Sequence, residues 1–376
     1  MPNLAIASAL KVHCGSGCGS ASRGSNCGVE ILYVGSKSVL DKKLVEAAGL
    51  PFKSIFTGKL RRYFSLRNFI DPFFVIAGFF QSLWIVIRFW PNAVFAKGGF
   101  VSLPVAFAAF LMRRPIILHE SDRVMGLSNR IVAFLATKVC VAFPDVYIGK
   151  IQITSHKLQV NYKSQTRLPD GQVTNHKQIE NNKFVLTGNP VRSSIQAGDT
   201  EKGYQITGFR PERPIVLVWG GSQGAMEINQ LVKESFYKLK SVFQLIHITG
   251  HGKQTDISDP SYIQFEYLDE DLKHIYAITD IVVGRSGANS LYELALMQKP
   301  NILIPLKTSA HNHQQLNAEY FEQMGASIIL RDSSLYDTLM ALWHSTEQRE
   351  MMKGALGRVA KPEAAAQIAE LLISNA

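Results

Sequence analysis

A chain of 376 residues that is 46% hydrophobic and 19% charged has the length of two ordinary α/β domains, and its composition excludes intrinsic disorder. A formal charge of +10, with a pI near 9.3, favours anionic partners: nucleic acid, acidic lipid headgroups or phosphorylated substrates. Four cysteines in so long a chain exclude a disulfide scaffold.

In chain order, the first unusual stretch is "HCGSGCGSASRGSNCG" (13–28). His13, Cys14, Cys18 and Cys27 could be drawn as four zinc ligands, but the density of Gly and Ser favours a flexible loop. No leader with a charged start and an apolar middle stands ahead of it, so a reducing, cytoplasmic setting is expected. "VEILYVG" (29–35), "AVFAKGG" (93–99), "PIILHES" (115–121) and "KVCVAF" (138–143) read as buried strands with helical stretches between them. Cys140 is expected to be a small core residue.

Between Pro72 and Pro91, "FFVIAGFFQSLWIVIRFW" is apolar on every side of a helical wheel and about long enough to cross a bilayer. A true span would put strands of one sheet on opposite sides of the membrane. Two readings stay open: a core helix, or a helix lying on a lipid surface. The neighbouring "GKLRRYFSLRNF" (58–69) interleaves Arg61, Arg62 and other cations with aromatics, which favours docking on anionic lipid. Residues 150–182, rich in Asn and Gln, read as a polar insertion, and "KFVLTGNPVR" (183–192) closes the first half.

The second half repeats the alternation with "PIVLVWG", "FQLIHITG", "YIQFEYL", "DIVVGRSG", "NILIPL" and "ASIIL". After the first of these come Gly220, Gly221, Ser222, Gln223 and Gly224, then a helical pattern. A helix N-terminus offers unpaired N–H groups and a positive dipole end, and glycines let the backbone approach an anion; this is the form of a phosphate loop. A dinucleotide site would want an acid at the end of the next strand, and "LIHITGHGK" has none, so the nicotinamide reading fails. In "GRSGANSLYELALMQKP" (284–300), Glu293 could accept both hydroxyls of a ribose, or be a solvated helix glutamate. Gln314 and Asn317 share a helical face and suit the hydroxyls and N-acetyl group of a sugar. A loop for a diphosphate, an acid for a ribose and amides for a sugar add up to a nucleotide-sugar.

Seven stretches carry a more specific likeness: "GKLRRYFS", "KGGFVSLPVAFAA", "PIILHESDRVMGLSNR", "TGNPVR", "GGSQGA", "RSGANSLYELA" and "HQQLNA". In these, and in their order over residues 29–145 and 183–330, the chain resembles the MurG-type transferases of bacterial peptidoglycan synthesis. The resemblance implies an α/β fold of the GT-B type, two Rossmann-like parallel-sheet domains facing across a cleft. Residues 1–190 would bind acceptor and membrane, 191–360 would bind the UDP-sugar, and a helix in 361–376 would return to the first domain. The implied reaction moves N-acetylglucosamine from UDP to undecaprenyl-diphosphate-N-acetylmuramyl-pentapeptide (lipid I), with inversion.

The resemblance further implies Glu293 on the ribose, Ser222 with Gln223 on the diphosphate, and Arg192 against the nucleotide. Leu268 and Leu272 would wall the uracil. Gln314 and Asn317 would contact the sugar, together with Asp122 across the cleft. Phe73, Ile76 and Phe79 match the family's membrane patch, and Gly98 and Gly99 open the loop that faces the acceptor diphosphate. His119 and Glu120, at a strand end, are the available general bases. No Asp-x-Asp is read where a metal-dependent transferase would need it, so neither metal nor cofactor is expected. The expected partners are UDP-N-acetylglucosamine, lipid I, an anionic membrane surface at its cytoplasmic face, and cell-wall and division proteins; nucleic acid is not among them.

The family opens with a strand and a Gly-rich loop ending in histidine, followed by a helix like "PNLA". This chain begins at "MPNLAIASAL", so a start further upstream is the expectation. Two rivals remain: a GT-B enzyme that glycosylates diacylglycerol from UDP-galactose, and a donor-binding protein without transfer. The first-half motifs favour lipid I.

Overall fold

The computed structural model describes residues 2–16, 28–57, 71–148, 151–154, 183–221, 225–306 and 312–376. Arg61, Arg62, Ser222, Gln223, Cys18, Cys27 and most of the 150–182 insertion lie outside these residues, and with Cys18 and Cys27 goes the zinc set drawn from the sequence. The chain divides into two units, Met1–Asn189 with Glu363–Ala376, and Pro190–Pro362.

The first unit contains α1 (Pro2–Ser16), β1 (Tyr33–Gly35), α2 (Val39–Ala47), β2 (Phe52–Ser54), α3 (Asp71–Phe89), β3 (Val94–Ala96) and α4 (Ser102–Leu111). It continues through β4 (Ile116–Glu120), α5 (Leu127–Leu135), β5 (Lys138–Val141), β6 (Asp145–Ile148), β7 (Ile151–Thr154) and β8 (Phe184–Leu186). Strands β3-β4-β5-β8 form a parallel sheet in that order. All five residues of β4 are buried: Ile116, Ile117 and Leu118 as the apolar run of a strand covered on both faces, His119 and Glu120 as a polar end with hydrogen-bond partners. Successive side chains divide between those faces. Leu118 joins Ala106, Ala109 and Val132 of α4 and α5, while Ile117 and Cys140 join Ile6 of α1. Cys140 is thus the expected core thiol, and burial pushes it up to about 12.

Strands β1 and β2 pair in parallel as a separate two-stranded sheet. Tyr33 and Gly35 spend their bonds on the β2 side, and Val94 bonds toward β4, so the alternate residues Val34 and Phe95 turn to the space between β1 and β3. A cavity of about 720 Å³ fills that space, lined by both strands and by Ile6 and Leu10.

Helix α3 divides its surface between the two readings of the apolar stretch. Gly78, Ser82 and Val86, four residues apart, are buried, while Phe73, Phe74, Ile76, Phe80 and Trp84 are exposed. The buried stripe is small because backbone passes over it: a Cβ at Gly78 would lie 2.0 Å from the Phe56 carbonyl oxygen. Among the described residues no helix is long and apolar enough to cross a membrane.

The second unit contains α6 (Thr200–Thr207), β9 (Ile215–Trp219), α7 (Met226–Leu239), β10 (Gln244–Ile248), β11 (Tyr262–Phe265), α8 (Leu272–Ile278) and β12 (Ile281–Gly284). It ends with α9 (Ala288–Met297), β13 (Asn301–Leu303), α10 (His313–Gln323), β14 (Ile328–Ile329), α11 (Leu335–His344) and α12 (Thr346–Val359). The last helix, α13 (Ala364–Ser374), belongs to the first unit, where Ile368 and Leu372 pack against Ile6. The six parallel strands run β11-β10-β9-β12-β13-β14, a Rossmann order with its reversal between β9 and β12.

Candidate functional site

Ligands of open α/β sheets bind beyond the carboxyl ends of the strands, where the order reverses. In the second unit that point is flanked by the loop after β9 and the loop after β12, the two Gly-rich turns read from the sequence. Helices α7, α9 and α10 all begin on this edge, and none has a side-chain cap. Helices α6, α11 and α12 are capped by Asp199, Ser334 and Ser345. The edge therefore presents uncapped N–H groups and positive dipole ends together, a setting made for anionic oxygen.

Arg285, unremarked in the sequence reading, ties the two loops together. Its backbone N–H donates to the Trp219 carbonyl, and its guanidinium donates to Ile304 O and to Glu227 Oε2, each at 3.0 Å. Glu227 stands in the first turn of α7, so Arg285 fixes that helix start against β12 and β13. An arginine inside a Gly-Ser turn was the only signal available for it.

Glu293 is not a solvated helix glutamate. Its Oε2 is buried and without a hydrogen-bond partner among the described residues, and burial pushes the carboxyl up to about 7, with the Arg192 cation pulling the other way. The Tyr276 hydroxyl is a second buried group without a partner among the described residues, and burial, with the Glu293 charge, holds its pKa well above the usual range. Buried polar groups are rarely left unpaired, and two in one electrostatic neighbourhood mark a place for a ligand's hydroxyls. Arg192 borders the same region, paired with Asp269 at 3.1 Å.

Several expected contacts move. Asn317 is fully buried and donates to the Ser286 carbonyl at 3.3 Å, so it braces the β12 loop. Gln314 keeps a half-buried position; its Oε1 accepts from Leu306 N and its carbonyl accepts from Ser286 Oγ. Leu272 lies in the apolar core with Ile275 and Ile278, whereas Leu268 stays partly exposed beside it and can wall a base. Asp269-Glu270-Asp271 does spell an Asp-x-Asp, contrary to the sequence reading, with its first carboxylate given to Arg192. Among the described residues no group of three His, Cys, Asp or Glu is arranged to hold a metal ion.

In the first unit, the ends of β3 and β4 carry a second polar cluster. Glu120 accepts from the Asp122 backbone N–H at 3.0 Å and from Asn129 Nδ2 at 2.8 Å, and burial pushes its carboxyl up to about 7. His119 is fully buried with both ring nitrogens engaged, by Lys97 and by the Gly188 carbonyl. Burial pulls its pKa well down. Gly98, at φ +99°, lies where a Cβ would come 2.2 Å from Asn129 Oδ1. Gly98→Ala is expected to push Asn129 off Glu120 and to cost about 1–3 kcal/mol from backbone strain, read as a fall in melting temperature. Gly99 is exposed at φ +84°. Phe79 is only half-buried, edge-on to Phe80, so the exposed aromatic side of α3 is carried by Phe80 and Trp84 beside the expected Phe73 and Ile76.

A Rossmann sheet with an anion-ready edge in one unit, and a parallel sheet in the other, is the design of a GT-B glycosyltransferase. Residues 23–141 match the glycosyltransferase family 28 N-terminal domain, and residues 215–371 match the family's C-terminal domain. A UDP-N-acetylglucosamine--N-acetylmuramyl-(pentapeptide) pyrophosphoryl-undecaprenol N-acetylglucosamine transferase of Lachnospira eligens is 38% identical, covering 90% of this chain and 85% of its own. The same-named protein of Clostridium tetani is 39% identical over 82% of this chain and 79% of its own. The fold is shared with Acinetobacter baumannii MurG (TM-score 0.64, 18% identity, covering 99% and 95% of the two chains). It is shared also with the glycotransferase of kitacinnamycin (TM-score 0.65, 14% identity, 100% and 95%). The chain belongs to glycosyltransferase family 28, among its MurG-type members.

Proposed function

We infer that the chain transfers N-acetylglucosamine from UDP-N-acetylglucosamine to lipid I, making lipid II, with inversion at the anomeric carbon. The unpartnered Oε2 of Glu293 carries the donor half of this reading, because a carboxylate there can accept the hydroxyls of a ribose. The uncapped starts of α7 and α9, with Ser222 and Gln223, then hold the diphosphate, and Leu268 lies against the uracil. Arg192 sits at the nucleotide and Gln314 at the sugar. As the acceptor hydroxyl attacks, negative charge grows on the departing diphosphate, where fixed N–H groups and helix dipoles stabilise it without reorganising.

In the first unit, Glu120 takes the base role that the sequence shared between it and His119. A carboxyl near 7 is matched to proton transfer at neutral pH. Asp122, two residues on, is assigned to the sugar, and Gly98 and Gly99 offer backbone to the acceptor diphosphate. The exposed aromatics of α3, continued by Phe110 of α4 and Phe134 of α5, support peripheral docking at the cytoplasmic face of the membrane. Cell-wall and division proteins that use lipid II would meet the enzyme there.

The test is to titrate the chain with UDP-N-acetylglucosamine and assay transfer to a lipid I analogue in the same preparation. Saturable binding with transfer is expected. Sugar appearing on diacylglycerol instead would assign the chain to the other lipid glycosyltransferases. Donor binding with no transfer to either acceptor would refute a transferase role for this chain.

A further inference from the structure

Lys97 follows β3 and has no role in the chemistry above. Its Nζ donates to Asn189 Oδ1 at 2.9 Å and lies 3.4 Å from His119 Nδ1. His119 Nε2 lies 2.9 Å from the Gly188 carbonyl oxygen. A carbonyl can only accept, so the ring proton sits on Nε2, and Nδ1 is left to accept from Lys97. Two successive residues, Gly188 and Asn189, are thereby gripped from the ends of two adjacent strands. The next residue is Pro190, where the second unit begins. Gly188 adopts φ +80°, and a residue before proline, here Asn189, is restricted to extended backbone, so the crossover has few conformations to choose from.

We propose that Lys97, acting through Asn189 and His119, is a positioning residue for sugar transfer: it fixes the path by which the chain leaves the acceptor unit for the donor unit. A lysine is an expensive way to fill such a place. Burial pulls its pKa down to about 7 against the opposing charges of Glu120 and Asp122, where a methionine would match its length without that desolvation. Set against that cost are the two directed bonds it makes, which methionine could not. The link to transfer rests on the function proposed above; the clasp on the crossover does not.

The experiment compares Lys97→Met, Asn189→Leu and the double variant in the whole chain. Amide exchange at Asn189 and Val191 is expected to speed at least ten-fold in each, with Leu118 in β4 unchanged. UDP-N-acetylglucosamine affinity should stay within two-fold, since Glu293 and the helix starts assigned to its ribose and diphosphate lie in the second unit, while kcat falls about ten-fold. The double variant should be no slower than the worse single one, because both break the same clasp. Multiplied losses of kcat, or unchanged exchange at the crossover, would overturn the proposal. Faster exchange at Leu118 as well would reduce Lys97 to general stability and overturn it equally. Exchange needs no turnover, so a chain inactive as a transferase still decides whether the clasp exists.

Discussion

Glu293→Gln is expected to leave the second unit more stable than the parent above pH 7 while weakening its hold on UDP-N-acetylglucosamine ten- to a hundred-fold. The carboxyl is raised from 4.5 to about 7 in the folded chain, a rise of about 2.5. Between those values the folded state holds a proton that the unfolded state has released, so stability falls as pH rises through that window. At about 1.4 kcal/mol per pH unit, the loss by pH 8 is on the order of 3 kcal/mol. Glutamine carries no charge to desolvate and escapes that loss. It also cannot offer a ribose two charge-assisted acceptors, which are worth about 1.5–3 kcal/mol in binding. Glu120 contributes the same sign in the first unit, so the quantity to measure is the parent-minus-variant difference in denaturant unfolding at pH 5.5 and 8. Equal pH slopes would show that burial of Glu293 does not raise it. Unchanged donor affinity would show that the ribose lies elsewhere.

The sequence made the strands of the sheets legible, because a strand covered on both faces is apolar along most of its length, as Ile116 to Leu118 is before the polar end at His119 and Glu120. It overextended β1, reading 29–35 where only Tyr33–Gly35 pair, because an apolar run does not say how much of it finds a partner. Gly-rich turns after β9 and β12 were legible for the same local reason, and the sheet order then placed both at one reversal point. Spacing could put Gln314 and Asn317 on one face of a helix but not say which way that face turns. The bond from Asn317 to Ser286 spans 31 residues and has no local signature. Arg192 and Asp269 stand 77 residues apart, so nothing short-range showed that an acid of the "DED" stretch was already paired. The burial of His119 and of the Tyr276 hydroxyl depends on tertiary packing alone. Helix α3 was ambiguous because its buried stripe is made of Gly78, Ser82 and Val86, which a search for large apolar residues passes over.

That stripe makes the exposed side of α3 separable from its packing, and the double variant Phe80→Asp with Trp84→Asp is expected to abolish binding to anionic vesicles at little cost to the fold. Phe80 is 63% exposed and Trp84 61%, so neither supports the core in water, and such surface changes shift stability by about 0.5 kcal/mol or less. On lipid each aromatic is worth about 1.5–3 kcal/mol of buried area. Two lost together, with two carboxylates set against an anionic surface, should lower partitioning at least a hundred-fold. Phe79→Asp is the contrasting variant. Its ring is half-buried against its neighbour, so it should lower the melting temperature as well as binding. Co-sedimentation with vesicles, alongside thermal unfolding, separates the two effects. A double variant that stays on vesicles with an unchanged melting temperature would remove α3 as the lipid contact. One that leaves the vesicles yet glycosylates a water-soluble acceptor analogue at the parent rate would show that these aromatics bring the enzyme to its substrate and take no part in the transfer.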